Sequence, residues 1–336
     1  MKTDHEKMTR QANFSRYQGQ GTGFYESFFI RANHPRQALA FWIRYTVFEP
    51  GDQTRSPMGE LWATWFDGES GRHVSVKDEF SVDDCRFDND RFRVSVGQAV
   101  LDDGQASGQA GGDDRIQWDL SYSGDNEPLL LFPPKLYEAG FPKAKALVGL
   151  PLAVFSGTIT VNGEVHDVGN WVGSQNHNWG SKHTDSYAWG QVAGFDDNPD
   201  AFLELATAQV KIGPVYTPRM TLLVLRHEGR EYRLNSIIRS LRAYGRFEFF
   251  TWKFRSEDSE VAVDGTIAAD KAAFVGLRYH NPPGGIKHCL NTKIASCRLT
   301  LHLKKEDRRI SLTTGSRAAF EIFTDDHHGH GVPVYA

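Results

Sequence analysis

Apolar and polar residues alternate along much of this chain, and that two-residue period constrains its fold more than any other feature. In an extended segment successive side chains point to opposite sides, so strict alternation gives one dry face and one wet face. Ile116, Trp118, Leu120 and Tyr122 fall on one side of such a stretch, and Gln117, Asp119, Ser121 and Ser123 on the other. Phe92, Val94 and Val96 alternate in the same way with Arg91, Arg93 and Ser95. Further strands are read in ALAFWIRYTVF (Ala38 to Phe48), GELWATWF (Gly59 to Phe66), FEFFTWKF (Phe247 to Phe254) and RLTLHL (Arg298 to Leu303). Asn162-Gly163, Asp264-Gly265 and HEGRE (His227 to Glu231) read as hairpin turns, because Asn-Gly and Asp-Gly supply the positive φ of a type I′ turn. LDDGQASGQAGGDDR (Leu101 to Arg115), between two strands, reads as a long flexible hairpin loop rather than a domain linker. Helix signals are confined to Pro133 to Val148 and Leu234 to Tyr244.

Together these signals predict roughly sixteen to twenty strands, against about eight to ten for one sandwich or small barrel. The expectation is an all-β protein with two β-barrel or sandwich domains in tandem, at residues 1–181 and 182–336. With 40% hydrophobic and 24% charged residues, the chain is ordinary for a soluble globular protein with a real core. Its 22 Phe, 11 Tyr and 8 Trp favour strands and can wall an apolar pocket. A net charge of -4 offers no field for nucleic acid, so no nucleic-acid partner is expected. RSLRAYGR (Arg239 to Arg246) and KKEDRR (Lys304 to Arg309) read as solvated faces. No run approaches the ~18 apolar residues of a transmembrane segment, and no secretory signal is read. Cys85, Cys289 and Cys297 are too scattered for a disulfide framework or a zinc site, so reduced thiols and a cytoplasmic location are expected. Nothing in the sequence sets an oligomeric state.

One stretch departs from the pattern. GSQNHNWGSKHTDSYAWGQ (Gly173 to Gln191) packs His177, His183, Trp179, Trp189, Tyr187 and Asp185 into nineteen residues at the expected domain junction. His177, His183 and Asp185 are the residue types of a two-His, one-carboxylate metal set. Their spacing matches no common site, and no HExxH is present, so no metal is expected. The tail DDHHGHG (Asp325 to Gly331) reads as a mobile end. A nucleophile elbow, a P-loop and a complete dinucleotide fingerprint are all missing, and no cofactor is expected. General acid–base chemistry remains. In an extended segment His177 and Trp179 share a face, where an imidazole or a nearby carboxyl would donate a proton and an indole would face a developing cation. The bland alternative has His177 and Asn178 bonding backbone in a tight turn, with Trp179 as a plug.

QNHNWG (Gln175 to Gly180), preceded by the G-x-I-x-V-N-G hairpin (Gly157 to Gly163) and followed by YAWGQVAGF (Tyr187 to Phe195), resembles the D-H-N-W-G region of the carotenoid 1,2-hydratase (hydroxyneurosporene synthase) family. That family belongs with AttH-like and tocopherol-cyclase-like proteins. GFYESFF (Gly23 to Phe29) resembles its opening strand, with Glu26 at the family glutamate. Gln175 and Asn176 replace the acidic residue before the signature histidine, and Glu204 in DAFLELA lacks the family's neighbouring tyrosine. The resemblance implies two lipocalin-like (calycin-type) β-domains, a hydrophobic cavity near the junction, and acid-catalysed hydration or cyclisation of an apolar isoprenoid-like or polyketide-like molecule. It implies catalytic roles for His177, Trp179, Glu204 and Asp185, and substrate contacts for Glu26, Trp62, Asn178, Tyr187 and Trp189. Burial of Asp185, Glu26 or Glu204 beside Trp179 or Trp62 would raise the carboxyl pKa and keep it protonated. On this reading His177 sits in a turn of little core volume, so His177→Ala leaves the fold intact. The rival class is a carrier that binds a hydrophobic small molecule without chemistry; a stress-linked structural protein is a third.

Overall fold

Two antiparallel sheets account for most of the chain in the computed structural model, which describes residues 8–52, 55–326 and 329–335. Strands hold 61% of the residues and helices 6%, so the all-β expectation stands. The first sheet has twelve strands between Phe24 and Gly180, and the second has ten between Ser186 and Thr324. A small hairpin of Lys211–Ile212 and Val215–Tyr216 stands apart. The short helices Lys135–Glu138 and Ile237–Arg242 fall inside the two predicted regions, and residues 8–10 are helical as well.

Burial follows the alternation. Arg115–Ser123 buries every second residue and exposes the rest. Each sheet curls around its own core. Phe28, Ile30, Tyr45, Trp118, Phe155 and Trp171 fill the first, and Leu203, Leu205, Trp252, Phe254, Phe320 and Ile322 fill the second. Each such side chain contributes about 1.5–3 kcal/mol through burial. The strand Phe24–Asn33 is buried on both faces. Phe28, Ile30 and Ala32 enter the first core, while Phe29 packs outward with Trp42, Trp62, Leu277, Tyr279 and Phe323 at the contact between the sheets.

The two sheets share one layout. In each, a first strand pairs with the last strand of a long closing hairpin, and the intervening strands meander away from both sides. The closing hairpins are Ala144–Val161 with Glu164–Gly180, and Ile286–Leu303 with Arg308–Thr324.

Several local expectations are corrected. Asn162-Gly163 and Glu228-Gly229 do turn hairpins, each with positive φ at both residues. Asp264-Gly265 does not: both lie inside Val261–Ala268, paired on either side. FEFFTWKF is two strands, Tyr244–Glu248 and Thr251–Glu257, joined through Phe249 and Phe250. The hairpin at Leu101 to Arg115 is mostly paired strand rather than flexible loop, with Asp102 paired to Gln105 around Gly104 at φ 93 and Gly111 paired to Arg115. In the tail, His327 and His328 lie outside the described residues, whereas His330 is buried with Nε2 3.0 Å from Nδ1 of His288.

The motif QNHNWG sits in the strand Glu164–Gly180, not in a turn. Glycines frame it for a steric reason. A Cβ on Gly173 would meet the Arg31 carbonyl oxygen at 1.8 Å, and one on Gly180 would meet the Lys143 oxygen at 2.1 Å. Gly173→Ala must push two paired strands apart, and a loss of about 1–3 kcal/mol is expected in urea unfolding. An unchanged midpoint would contradict this.

Candidate active site

Where the outer faces of the sheets meet, the alternation delivers polar side chains into a dry environment. Tyr187, Trp189 and Gln191 project from the strand Ser186–Ala193, Glu204 from Phe202–Gln209 and Glu321 from Arg308–Thr324. Arg44 on Leu39–Glu49 and Tyr279 on Val275–His280 face them from the other side. All of these except Gln191, which supports Glu204 from behind, border a cavity of about 180 Å³ whose walls are otherwise largely apolar, including Phe29, Trp42 and Leu222. Phe141 and Ile237, both substantially exposed, also line it.

Glu204 is the titratable group whose state is set most plainly here. It is 2% exposed, receives Trp189 Nε1–H at 2.7 Å on Oε1, and receives Gln191 Nε2–H at 2.8 Å on Oε2. Burial pushes its carboxyl up to about 7, outweighing those two bonds and the attraction of Arg31. Near neutrality the proton is therefore held loosely enough to be given up and tightly enough to be present. Gln191 fixes this arrangement from below. Its Oε1 accepts from Arg31 Nε at 2.7 Å and Ser174 Oγ at 2.6 Å, while Nε2 also donates to Asn176 Oδ1 at 2.8 Å.

His177 reaches the same cavity with its ring nitrogens already engaged. Nδ1 lies 2.6 Å from the Ala12 carbonyl oxygen and Nε2 2.8 Å from Glu26 Oε1. A carbonyl only accepts, so Nδ1 carries a proton; Nε2 faces a carboxyl oxygen, so a second proton lies in that contact. Burial pushes the imidazole below its ordinary value while the bond to Glu26 pulls it back. Glu26, fully buried, also accepts from Ser15 Oγ at 2.5 Å and from the backbone N–H groups of Arg16 and Tyr17. The pair thus fastens residues 12–17 across the sheet. The idea of a turn with little core volume is corrected: His177 is 0% exposed and stacks on Phe28 at 4.0 Å.

The remaining sequence candidates divide. Asn178, Tyr187, Trp189 and Glu204 line the cavity with His177. Trp179 packs outside it among Met8, Ala12, Phe24 and Tyr137. Trp62 is buried between Tyr279 and the ammonium of Lys77. Asp185 does not have the raised pKa expected of an acid. Burial would raise it, but Lys182 and the backbone N–H of Lys211 prevail and hold it below the usual carboxylate range. His177, His183 and Asp185 have separate partners and form no common ligand set among the described residues. Glu60, Glu79 and His280 do converge, but Lys77 Nζ lies 2.7 Å from Glu60 and 2.6 Å from Glu79 and supplies the cation itself.

Sequence reasoning missed Gln191, Arg44, Tyr279, Glu321 and Lys293. Arg44 left a signal, a lone arginine in the otherwise apolar run AFWIRYTVF. Lys293, 0% exposed, bonds Glu321 at 2.8 Å, a pairing between residues far apart in the chain. His183 was read only as a metal ligand. It lines the cavity beside Tyr25, and burial followed by the field of Arg44 lowers it to about 3, so it is neutral.

Fold and site together define a lipocalin-like β-protein with an apolar, acid-bearing cavity between its two sheets. The chain belongs to the tocopherol cyclase-like family, whose sequence model matches residues 142–323. Two uncharacterized proteins of Mycobacterium tuberculosis (strains CDC 1551 / Oshkosh and ATCC 25618 / H37Rv) are each 23% identical over 297 residues, covering 87% of this chain and 85% of theirs. Among solved structures, an AttH candidate from Nitrosomonas europaea aligns with TM-score 0.56 and 12% identity over 94% of this chain and 95% of that one. Kievitone hydratase from Nectria haematococca aligns with TM-score 0.56 and 10% identity over 92% and 93%. At these identities the structural likenesses speak to the fold.

Proposed function

We propose that the protein is a hydratase- or cyclase-type enzyme, working without a cofactor on an apolar isoprenoid-like or polyketide-like alkene, with Glu204 as the acid. The observation that carries this reading is a fully buried carboxyl with a pKa of about 7 on the wall of an apolar cavity. The Glu204 proton passes to an alkene carbon, leaving a carbocation on the substrate and a carboxylate on the protein. Trp189 and Gln191 already donate to that carboxylate, and the ring faces of Trp189, Tyr187 and Tyr279 supply cation–π attraction of about 2 kcal/mol when desolvated. Water captures the cation in a hydratase and an internal hydroxyl in a cyclase; either returns a proton to Glu204 and restores it. Neutral His183 offers an acceptor nitrogen to orient the incoming oxygen. His177 and Glu26 act as positioning residues, and residues 1–181 and 182–336 are the two folding units.

The test is mass spectrometry of the ligand that co-purifies from the host, before and after incubation with fresh enzyme. A gain of 18 mass units signals hydration, and an unchanged mass with a new retention time signals cyclisation. A ligand that binds and returns unaltered from wild type would support a carrier instead.

A further inference from the structure

We infer that Arg44 is an anion anchor, and that the molecule occupying the cavity carries a carboxylate head group on its apolar body. This rests on the reading of the cavity as a ligand site. Arg44 is 5% exposed and lines the cavity. Nη2 donates to Ser27 Oγ at 2.6 Å, and the guanidinium lies 4.4 Å from the centroid of the Tyr279 ring. Its buried Nε–H has no hydrogen-bond partner, and no carboxylate among the described residues forms an ion pair with it. Burial works against the guanidinium, but the fields of Tyr279, Glu60 and Glu321 outweigh it and hold the charge in place, while the Nε–H stays unbonded. The carboxylates that act on it through space, Glu60 and Glu321, are already bonded to lysines, Lys77 and Lys293.

The rest of the lining has the same bias. Lys145, 6% exposed, donates only to the backbone oxygens of Leu136 and Ala139, at 2.5 and 2.9 Å. Glu321 is neutralised by Lys293, His183 is uncharged, and Glu204 holds a proton about half the time near neutrality. Arg44 and Lys145 thus line the cavity with no carboxylate in contact among the described residues. A guanidinium offers parallel N–H groups that match the two oxygens of a carboxylate. Surrounding aromatics exclude water and strengthen that bond. A neutral hydrocarbon would leave the Arg44 Nε–H unbonded; an amphipathic acid satisfies it.

The probe is 11-(dansylamino)undecanoic acid, compared with its primary amide, which has the same length and shape and no charge. Binding is read by dansyl fluorescence at pH 6, where Glu204 keeps its proton and the probe acid is ionised. Wild type is expected to hold the acid roughly 10–100-fold tighter than the amide, the range of charge-assisted hydrogen bonds. Arg44→Met should bring the acid down to the amide's affinity and leave the amide unchanged, while Lys145→Met should keep most of the preference. Equal wild-type affinities for acid and amide would overturn the anchor while leaving the cavity a ligand site. A preference that survives Arg44→Met, or disappears in Lys145→Met alone, would also overturn it. If neither probe binds, the ligand-site reading falls and the anchor with it. The wild-type comparison decides even if Arg44→Met fails to fold.

Discussion

Glu204→Gln is expected to lower turnover by about 10²–10⁴-fold, the usual share of general acid catalysis, while ligand still binds. Gln has nearly the shape of Glu and no proton to give. In the wild type the rate should fall as pH rises through about 7, because the working form is the protonated one. The same carboxyl ties stability to pH in a definite direction. Its pKa in the folded protein lies above the ordinary carboxyl value of 4.5, so the folded state binds the proton more tightly than the unfolded chain. That contribution is complete below about pH 4.5 and is lost as pH rises through about 7, a change of about 3 kcal/mol. Urea unfolding at pH 5 and pH 8 should show this loss in wild type and its absence in Glu204→Gln. A variant with full turnover, or with the wild-type pH slope, would remove Glu204 from the role of acid.

The second large effect is structural. His177→Ala is expected to cost about 3–5 kcal/mol, because it leaves a buried carboxyl and a buried carbonyl without their partner. Residues 8–17 should become protease-sensitive as their link to the sheet is cut. Glu26→Gln should cost about 1–3 kcal/mol. Its amide can donate to Nε2 while its oxygen still accepts from the Ser15 and Tyr17 side, but the Arg16 N–H that Oε1 accepts then meets a donor. A His177→Ala unfolding midpoint equal to that of wild type would contradict the latch.

The fold was legible where one strand face alone decides, and less so where pairing partners decide. Ile116 to Tyr122 declare a strand without help. The dipeptide Asp-Gly shows the limit. Asp103-Gly104 turns a paired hairpin in a region read as a flexible hairpin loop, whereas Asp264-Gly265 was read as a turn and lies flat in a strand. Strands on both sides hold the latter extended, and Gly265 is wanted there because a Cβ would meet the Arg298 oxygen at 2.7 Å. The cavity group of Asn178, Tyr187, Trp189 and Glu204 was visible as an aromatic and polar excess near a junction. The mismatch between Glu204 and Asp185 was not, because a neighbouring Lys182 rescues one carboxylate's charge and burial suppresses the other's. The His177–Glu26 bond joins residues 151 positions apart, so neither spacing nor periodicity records it.

In the strand Phe202–Gln209 the inner face belongs to the core and the outer face to the cavity, so fold maintenance and ligand choice fall on alternate residues. Leu203 and Leu205 serve the core, and Glu204 and Ala206 serve the cavity. Selection can therefore rewrite the binding surface one position at a time without repacking either barrel. A combinatorial library confined to Ala206, Ala208 and Leu222 should yield folded members at high frequency with widely differing ligand preferences, the kind of scaffold from which related lineages diverge toward new small molecules.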